Sequence, residues 1–157
     1  MKMSKAKRVS IVLYSIVAFI TVGTGLKFIT ASEYFTYHAQ ASGVNWTDVN
    51  SGLQLLMLAG FKIVGAGFLT VALCMILMII YPFARDDQKW SRFAIPLTGL
   101  FFWSIILITT VSVSITTGAK TPWAGSVFCL LTLLLGLGVS LLESSAKKSN
   151  EQKEKLK

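Results

Sequence analysis

Acidic residues, histidine and paired cysteines are scarce in this chain. Its 157 residues include 7 Asp and Glu, one histidine and two cysteines, against 15 Lys and Arg. Cys74 and Cys129 lie in separate apolar stretches without a CxxC or other ligand spacing, which is typical of small core residues and indicates no redox centre and no metal site. The P-loop, GxSxG and HExxH motifs are missing too. The sequence therefore favours a protein that is not an enzyme.

Carboxylates are also missing from the middle of the apolar stretches. Ion-coupled transporters and proton pumps usually carry an intramembrane carboxylate, so the sequence counts against both classes. The net charge of +8 does not indicate nucleic acid, because the cations flank the apolar stretches, where membrane orientation places them. The partner that the sequence predicts first is the lipid bilayer.

Long apolar stretches are what the chain has in abundance. Hydrophobic residues make up 54% of the sequence and the mean hydropathy is +0.65. The stretch Gly52–Tyr81, which ends at Pro82, contains one charge, Lys62, and no polar face, so it predicts a membrane span rather than a soluble core helix. The whole pattern predicts an all-α, integral membrane four-helix bundle. We expect a basic tail at 1–8, spans at about 9–29, 53–81, 93–115 and 123–142, and a charged tail at 143–157.

Local signals suggest where the spans begin and end. Ser51 and Gln54 match a capping box for span two, and Pro96 falls in the first turn of span three. Gly118 should end span three, and Thr121 should be the N-cap of span four. The mixed charges of 143–157 predict a solvated, frayed or disordered end.

Small residues predict close helix contacts, either within one bundle or between protomers. These residues are Gly23, Gly25, Ala59, Gly60, Gly65, Ala66, Gly67, Gly136 and Gly138.

The segment after span one predicts a short helix in the first connecting loop. Residues 33–42 contain no Pro or Gly, and Gly43 is a natural stop. The helix could be a continuous extension of span one or a separate helix on the membrane surface. The sequence leaves both forms open.

The distribution of cations predicts the topology. Twelve Lys and Arg lie in the two tails and the 82–92 loop, whereas Lys27, Lys62 and Lys120 lie on or near the other side. Because cytoplasmic segments carry the excess of Lys and Arg, both termini should be cytoplasmic. Segment 33–51 and turn 118–121 should then face outward.

Polar side chains collect at the predicted outer face, with aromatic residues around them. One interpretation is a ligand site, since histidine can bind haem or metal and lysines suit lipid phosphate. The other is that the lysines extend to the interface and the acids neutralise them. We expect His38 and Lys62 to face one another only if segment 31–43 bends over the membrane surface. The candidate ligand-binding residues are His38, Lys62, Lys27, Glu33, Asp48 and Trp46, with Lys120, Tyr37 and Trp123 nearby.

Several short motifs resemble those of small four-span bacterial inner-membrane proteins without an assigned activity. They are Tyr37-His38-Ala39, Gly43-x-x-Trp46, Gly52-x-Gln54-x-Leu56, Gly65-Ala66-Gly67 and Thr117-Gly118-x-x-Thr121-Pro122-Trp123. The resemblance implies the four-span architecture and a multi-pass protein of a bacterial inner membrane, and it implies no chemistry.

Two functions follow as hypotheses. The first is a non-enzymatic accessory or scaffold subunit that contacts a membrane protein partner or a second copy of itself. The second is a protein that binds or moves a lipid, quinone, haem or other small molecule at the outer leaflet. The sequence specifies no cofactor.

Overall fold

The fold is an all-α bundle of four long helices and one short helix. The computed structural model describes residues 4–86 and 88–155, with side chains up to Glu143. Within these residues all regular secondary structure is helical, and the predicted fold class is confirmed. The helices are α1 (Lys5–Ile29), α2 (Thr36–Ser42), α3 (Ser51–Met78, continued by a π-helix at Ile79–Arg85), α4 (Ser91–Thr117) and α5 (Trp123–Lys155).

The four long helices are suited to cross a membrane. The apolar helices comprise 25 residues in α1, 35 in α3 with its continuation, 27 in α4, and 21 in α5 up to Glu143, where about 20 suffice. Their outer faces are apolar, with Phe19, Phe101 and Ile115 exposed by 70%, 71% and 80%. Such a surface is stable in lipid and not in water. The chain is a multi-pass membrane protein.

The core forms where α1 packs along α3 and α5, and where α4 packs along α5. Buried side chains from all four helices meet there, among them Tyr14, Phe68, Trp103, Cys129 and Leu133. We call the end of the bundle near α2 the α2 end, and the end near Lys5 and Ser91 the opposite end.

Three predicted small residues bring helices together within this one chain. A methyl group at Gly65 would lie 2.7 Å from the carbonyl oxygen of Gly25, and one at Gly136 would lie 2.6 Å from the Tyr14 ring. In contrast, a methyl group at Gly23, Gly60, Gly67 or Gly138 would meet no atom of the described chain within 4 Å. Part of the predicted set therefore packs the bundle and part lies on its surface.

The ends of α3 differ from the prediction. The N-cap is Asn50, whose side-chain oxygen accepts a hydrogen bond from the Leu53 N–H, while the Gln54 amide donates to the Trp46 carbonyl instead of closing a capping box. At the other end the helix passes Pro82 as a π-helix and ends at Arg85. The wider i to i+5 turn lets the chain continue past a residue that has no N–H.

The remaining boundaries differ in smaller ways. Pro96 lies in the second turn of α4, because the helix begins at Ser91. Gly118 ends α4 with φ of 72°, as predicted. The hydroxyl of Thr121 donates to the Thr110 carbonyl rather than capping α5. The backbone of α5 stays helical to Lys155, where a frayed or disordered end was expected, because no Pro or Gly interrupts the tail.

Two of the flanking cations are buried at the opposite end. Lys7 and Arg92 are only 7% and 8% exposed, and the Lys7 ammonium lies 5.8 Å from the centre of the Phe83 ring. The sequence predicts these residues in the basic tail and in the loop that flank the spans. The structure instead makes them part of the packed end of the bundle.

Candidate functional site

The site lies at the α2 end, where α2 covers the bundle. Helix α1 ends at Ile29, and residues 30–35 turn the chain back so that α2 is a separate helix. Of the two forms that the sequence left open, the structure has the separate helix. Its C-cap is Gly43 with φ of 69°, a left-handed conformation that glycine adopts without strain.

Three contacts fix α2 over the bundle. The Tyr34 hydroxyl donates to the Val44 carbonyl. The Gln40 side-chain oxygen accepts from the Lys120 N–H at 2.9 Å, which ties α2 to the turn before α5. The Phe35 ring stacks on Phe61 of α3, with 5.4 Å between ring centres and 9° between ring planes. Contacts to both α3 and the α4–α5 turn hold α2 in place.

His38 lies at the centre of this arrangement. Its ring is 5.0 Å from the centre of Phe61 and 4.1 Å from that of Tyr37. Its Nδ1 accepts the backbone N–H of Phe35 at 3.2 Å, at the start of α2. Burial lowers the pKa of His38. The histidine is therefore neutral at pH 7, and because Nδ1 is an acceptor, the proton is on Nε2.

Tyr37 is the second polar ring of α2. Burial raises the pKa of Tyr37 to about 12, so its hydroxyl is protonated at pH 7. Both Tyr37 and His38 thus present neutral groups.

Beneath α2 lies a cavity of about 470 Å³, a size in the range of small-molecule sites. It reaches from His38 down to Ile20 and Trp103, and all five helices contribute to it. Its walls are mostly apolar and aromatic. The aromatic side chains and His38 that line it are Phe28, Phe35, Tyr37, His38, Phe61, Phe68 and Trp103. The hydroxyl side chains that line it are Thr24, Thr109, Thr110, Thr121 and Ser126.

An open groove of about 610 Å³ adjoins the cavity, and the two share Lys27, Phe35, Tyr37 and Pro122 as lining residues. The charged residues in the groove lining are Lys27, Glu33 and Lys120. Two cations against one carboxylate leave the groove with an excess of positive charge. Groove and cavity together form a polar entrance above an apolar chamber.

Lys27 lies at the junction between the groove and the cavity. Its ammonium is 4.8 Å from the centre of the Phe35 ring, a cation–π contact. This charge would attract a negative group bound in the groove.

The six residues that the sequence proposed are only partly brought together. Lys27 and His38 line the cavity, and Glu33 lines the groove. The other three lie apart from both. Asp48 is exposed in the 3₁₀ turn Trp46–Asp48 and accepts from the Asn45 amide at 3.3 Å, and Trp46 packs on Tyr34 at 5.0 Å.

Lys62 is the clearest difference from the expected site. The segment after α1 does bend over, as the site required, and His38 reaches α3. The residue it meets there is Phe61, however, while Lys62 is exposed and lines neither the cavity nor the groove. Adjacent residues on a helix point about 100° apart, so only one of them can face inward.

Sequence reasoning missed the members of the site that come from α4 and α5. Trp103 forms the floor of the cavity, where its Nε1 donates to Thr21 at 3.3 Å. Ser126 is 2% exposed, lines the cavity, and its hydroxyl makes no hydrogen bond within the part of the chain that the structure describes. No local motif marks either residue.

The residues do not form a metal centre. No group of three or more His, Cys, Asp or Glu side chains comes together within the described residues. The hydrogen bond to His38 also opposes haem ligation, because a metal-bound histidine usually donates its second N–H, whereas here Nδ1 accepts. Comparison with protein-family models, with curated proteins and with solved structures finds no match for this chain.

Proposed function

We propose that this protein binds an amphipathic small molecule from the bilayer, with the apolar part in the cavity beneath α2 and the polar part in the groove. The observation that carries the proposal is that the two spaces adjoin. A mostly apolar cavity of about 470 Å³ shares Lys27, Phe35 and Tyr37 with a groove that has an excess of positive charge. A lipid, a quinone or a related molecule has this division between apolar and polar parts.

The size of the cavity supports an occupant. Protein interiors are packed with few voids larger than a water molecule, because an empty space costs its lining the contacts it would otherwise make. Much of the lining is apolar and aromatic, and water cannot make favourable contacts with that part of it. A molecule with a hydrocarbon part would supply the missing contacts.

The orientation in the membrane is part of the proposal. The cation distribution supports cytoplasmic termini, so α2, the groove and Lys120 would lie at the outer face of a bacterial inner membrane. The ligand would then enter from the outer leaflet. The activity that we infer is binding or transfer of this molecule without covalent chemistry.

The experiment is to identify what co-purifies with the protein in mild detergent, by organic extraction and mass spectrometry. We expect one molecular class near a 1:1 ratio with wild type. Ser126→Phe, which places a ring in the cavity, should lose it. Leu131→Phe is the matched control, because Leu131 is on the same helix but 56% exposed on the outer surface. Equal amounts of bound molecule in both variants would contradict the proposed cavity.

A role as an accessory or scaffold subunit is a second candidate, favoured by one observation. Gly60 and Gly67 lie two turns apart on one face of α3, and a methyl group at either would meet nothing within 4 Å. Such small residues allow another helix to approach closely. Co-purification of a stoichiometric membrane partner or a second copy, lost in Gly60→Leu and Gly67→Leu, would support this role. A monomer without partners would contradict it.

A further inference from the structure

The cavity lining contains a series of aromatic rings and the His38 imidazole. Consecutive ring centres along it lie 5.0 to 5.8 Å apart, from His38 to Phe61, Phe28, Phe68 and Trp103. Aromatic faces and edges pack against planar rings with defined geometry. A flexible acyl chain would gain burial from these walls but would not use their orientation. The walls favour a planar occupant.

Two neutral polar groups in the cavity lining, the His38 imidazole and the Ser126 hydroxyl, can donate a hydrogen bond and have no acceptor among the described residues. His38 has its proton on Nε2, and no hydrogen bond joins that N–H to any described residue. The Ser126 hydroxyl, on α5, is buried and likewise without a partner among the described residues. Both groups border the cavity, so a ligand in the cavity could supply the acceptors that the described residues do not.

These two features match one class of membrane molecule. A quinone ring is planar, and its carbonyl oxygens accept hydrogen bonds without donating any. A phospholipid would put its charged headgroup beside Lys27 and Lys120 in the groove and its tails in the cavity, with its ester carbonyls as the acceptors. The aromatic lining together with the two donors therefore favours the quinone, and the test below separates the two ligands.

We propose that the ligand is a lipid-soluble quinone whose ring lies among these aromatic side chains and whose carbonyl oxygens accept hydrogen bonds from His38 and Ser126. The inference rests on the proposed binding function and names the class of ligand. It involves binding alone, and no electron transfer is part of it.

The test uses a decyl-substituted 1,4-benzoquinone as the probe, with decylbenzene as the matched molecule that lacks carbonyl groups. The detergent-solubilised protein is used throughout. Quinone binding is measured by quenching of tryptophan fluorescence, and decylbenzene binding is measured by its displacement of the bound quinone. Ser126→Ala removes the donor without breaking any hydrogen bond of the protein. Ser140→Ala is the control, since the hydroxyl of Ser140 is also buried on α5 and without a partner among the described residues, but at the opposite end.

We expect Ser126→Ala to weaken quinone binding roughly threefold to tenfold, as for loss of one hydrogen bond. Ser140→Ala should bind like wild type, and decylbenzene should bind less tightly and be insensitive to both variants. Equal affinities of wild type and Ser126→Ala for the quinone would overturn the inference.

A second outcome separates this inference from the binding function. One result would support the binding function and contradict the quinone: the extracted molecule is a phospholipid, it is displaced by lysophosphatidylglycerol, and it is absent from Ser126→Phe. The protein would then bind an amphiphile but not a quinone. If nothing is extracted and neither probe binds, both proposals fall.

Discussion

The contact between α1 and α3 provides a sharp test of the packing, through the substitution Gly65→Ala. The added methyl group would lie 2.6 Å from Cγ1 of Ile29, 2.7 Å from the Gly25 carbonyl oxygen and 3.0 Å from the Ile29 nitrogen. Two of these three atoms are backbone atoms, which no side-chain rotation can move away. The helices must therefore separate, and overpacking of this kind costs about 1–3 kcal/mol.

Gly67→Ala is the matched control on the same helix, because a methyl group there meets nothing within 4 Å. It should be neutral or stabilise the helix by up to about 1 kcal/mol, the difference in helix propensity between Gly and Ala. The two variants should differ by about 1–4 kcal/mol in free energy of unfolding.

Reversible unfolding in mixed micelles of rising dodecyl sulfate fraction, followed by circular dichroism, measures that difference. We expect Gly65→Ala to unfold at a lower dodecyl sulfate fraction than wild type and Gly67→Ala. If both alanine variants unfold at the same fraction, the close approach of α1 and α3 at Gly65 is wrong.

Three further predictions concern the α2 end. Burial lowers the pKa of His38 from 6.5, so undocked α2 binds a proton more readily, and docking of α2 should weaken as pH falls below about 6.5 and level off below the lowered pKa. Hydrogen exchange of residues 36–43, corrected for intrinsic rates, should therefore rise at low pH in wild type but not in His38→Phe. A difference in exchange between the two proteins that does not change with pH would refute this. Lys62→Leu should insert, express and bind ligand like wild type because Lys62 is exposed outside the site, and loss of assembly would show that Lys62 is paired within the bundle. A cysteine at Asn45 or Lys120, both exposed, should react with a membrane-impermeant maleimide in intact cells, and reaction only after permeabilisation would reverse the proposed orientation.

The four spans could be predicted from the sequence because an apolar stretch of sufficient length is a local property. Their ends were less predictable. Asn50 and Ser51 are both good N-caps, and the choice depends on where the preceding turn places each side chain. Pro82 suggested an end to span two, but a π-helical turn absorbs its missing N–H. A proline in the sequence indicates the end of a helix, whereas no residue pattern indicates that the helix will continue as a π-helix.

The candidate site was predictable only in part, because its membership depends on how each helix is rotated about its axis. The bend after α1 and the stop at Gly43 were within reach of local signals, and they bring His38 to α3. Phe61, rather than Lys62, meets His38, and this depends on the packing of Phe61 against Phe28. Ser126 lines the same cavity as His38 although it is more than 80 residues further along the chain, and no periodicity within α5 predicts that.

Native mass spectrometry of the intact protein, released from detergent micelles, tests the binding function most directly. The account predicts a discrete adduct of one mass on wild type and on Leu131→Phe, and the bare protein mass for Ser126→Phe, whose added ring fills part of the cavity. The bare mass for wild type, or the same adduct on Ser126→Phe, would contradict it.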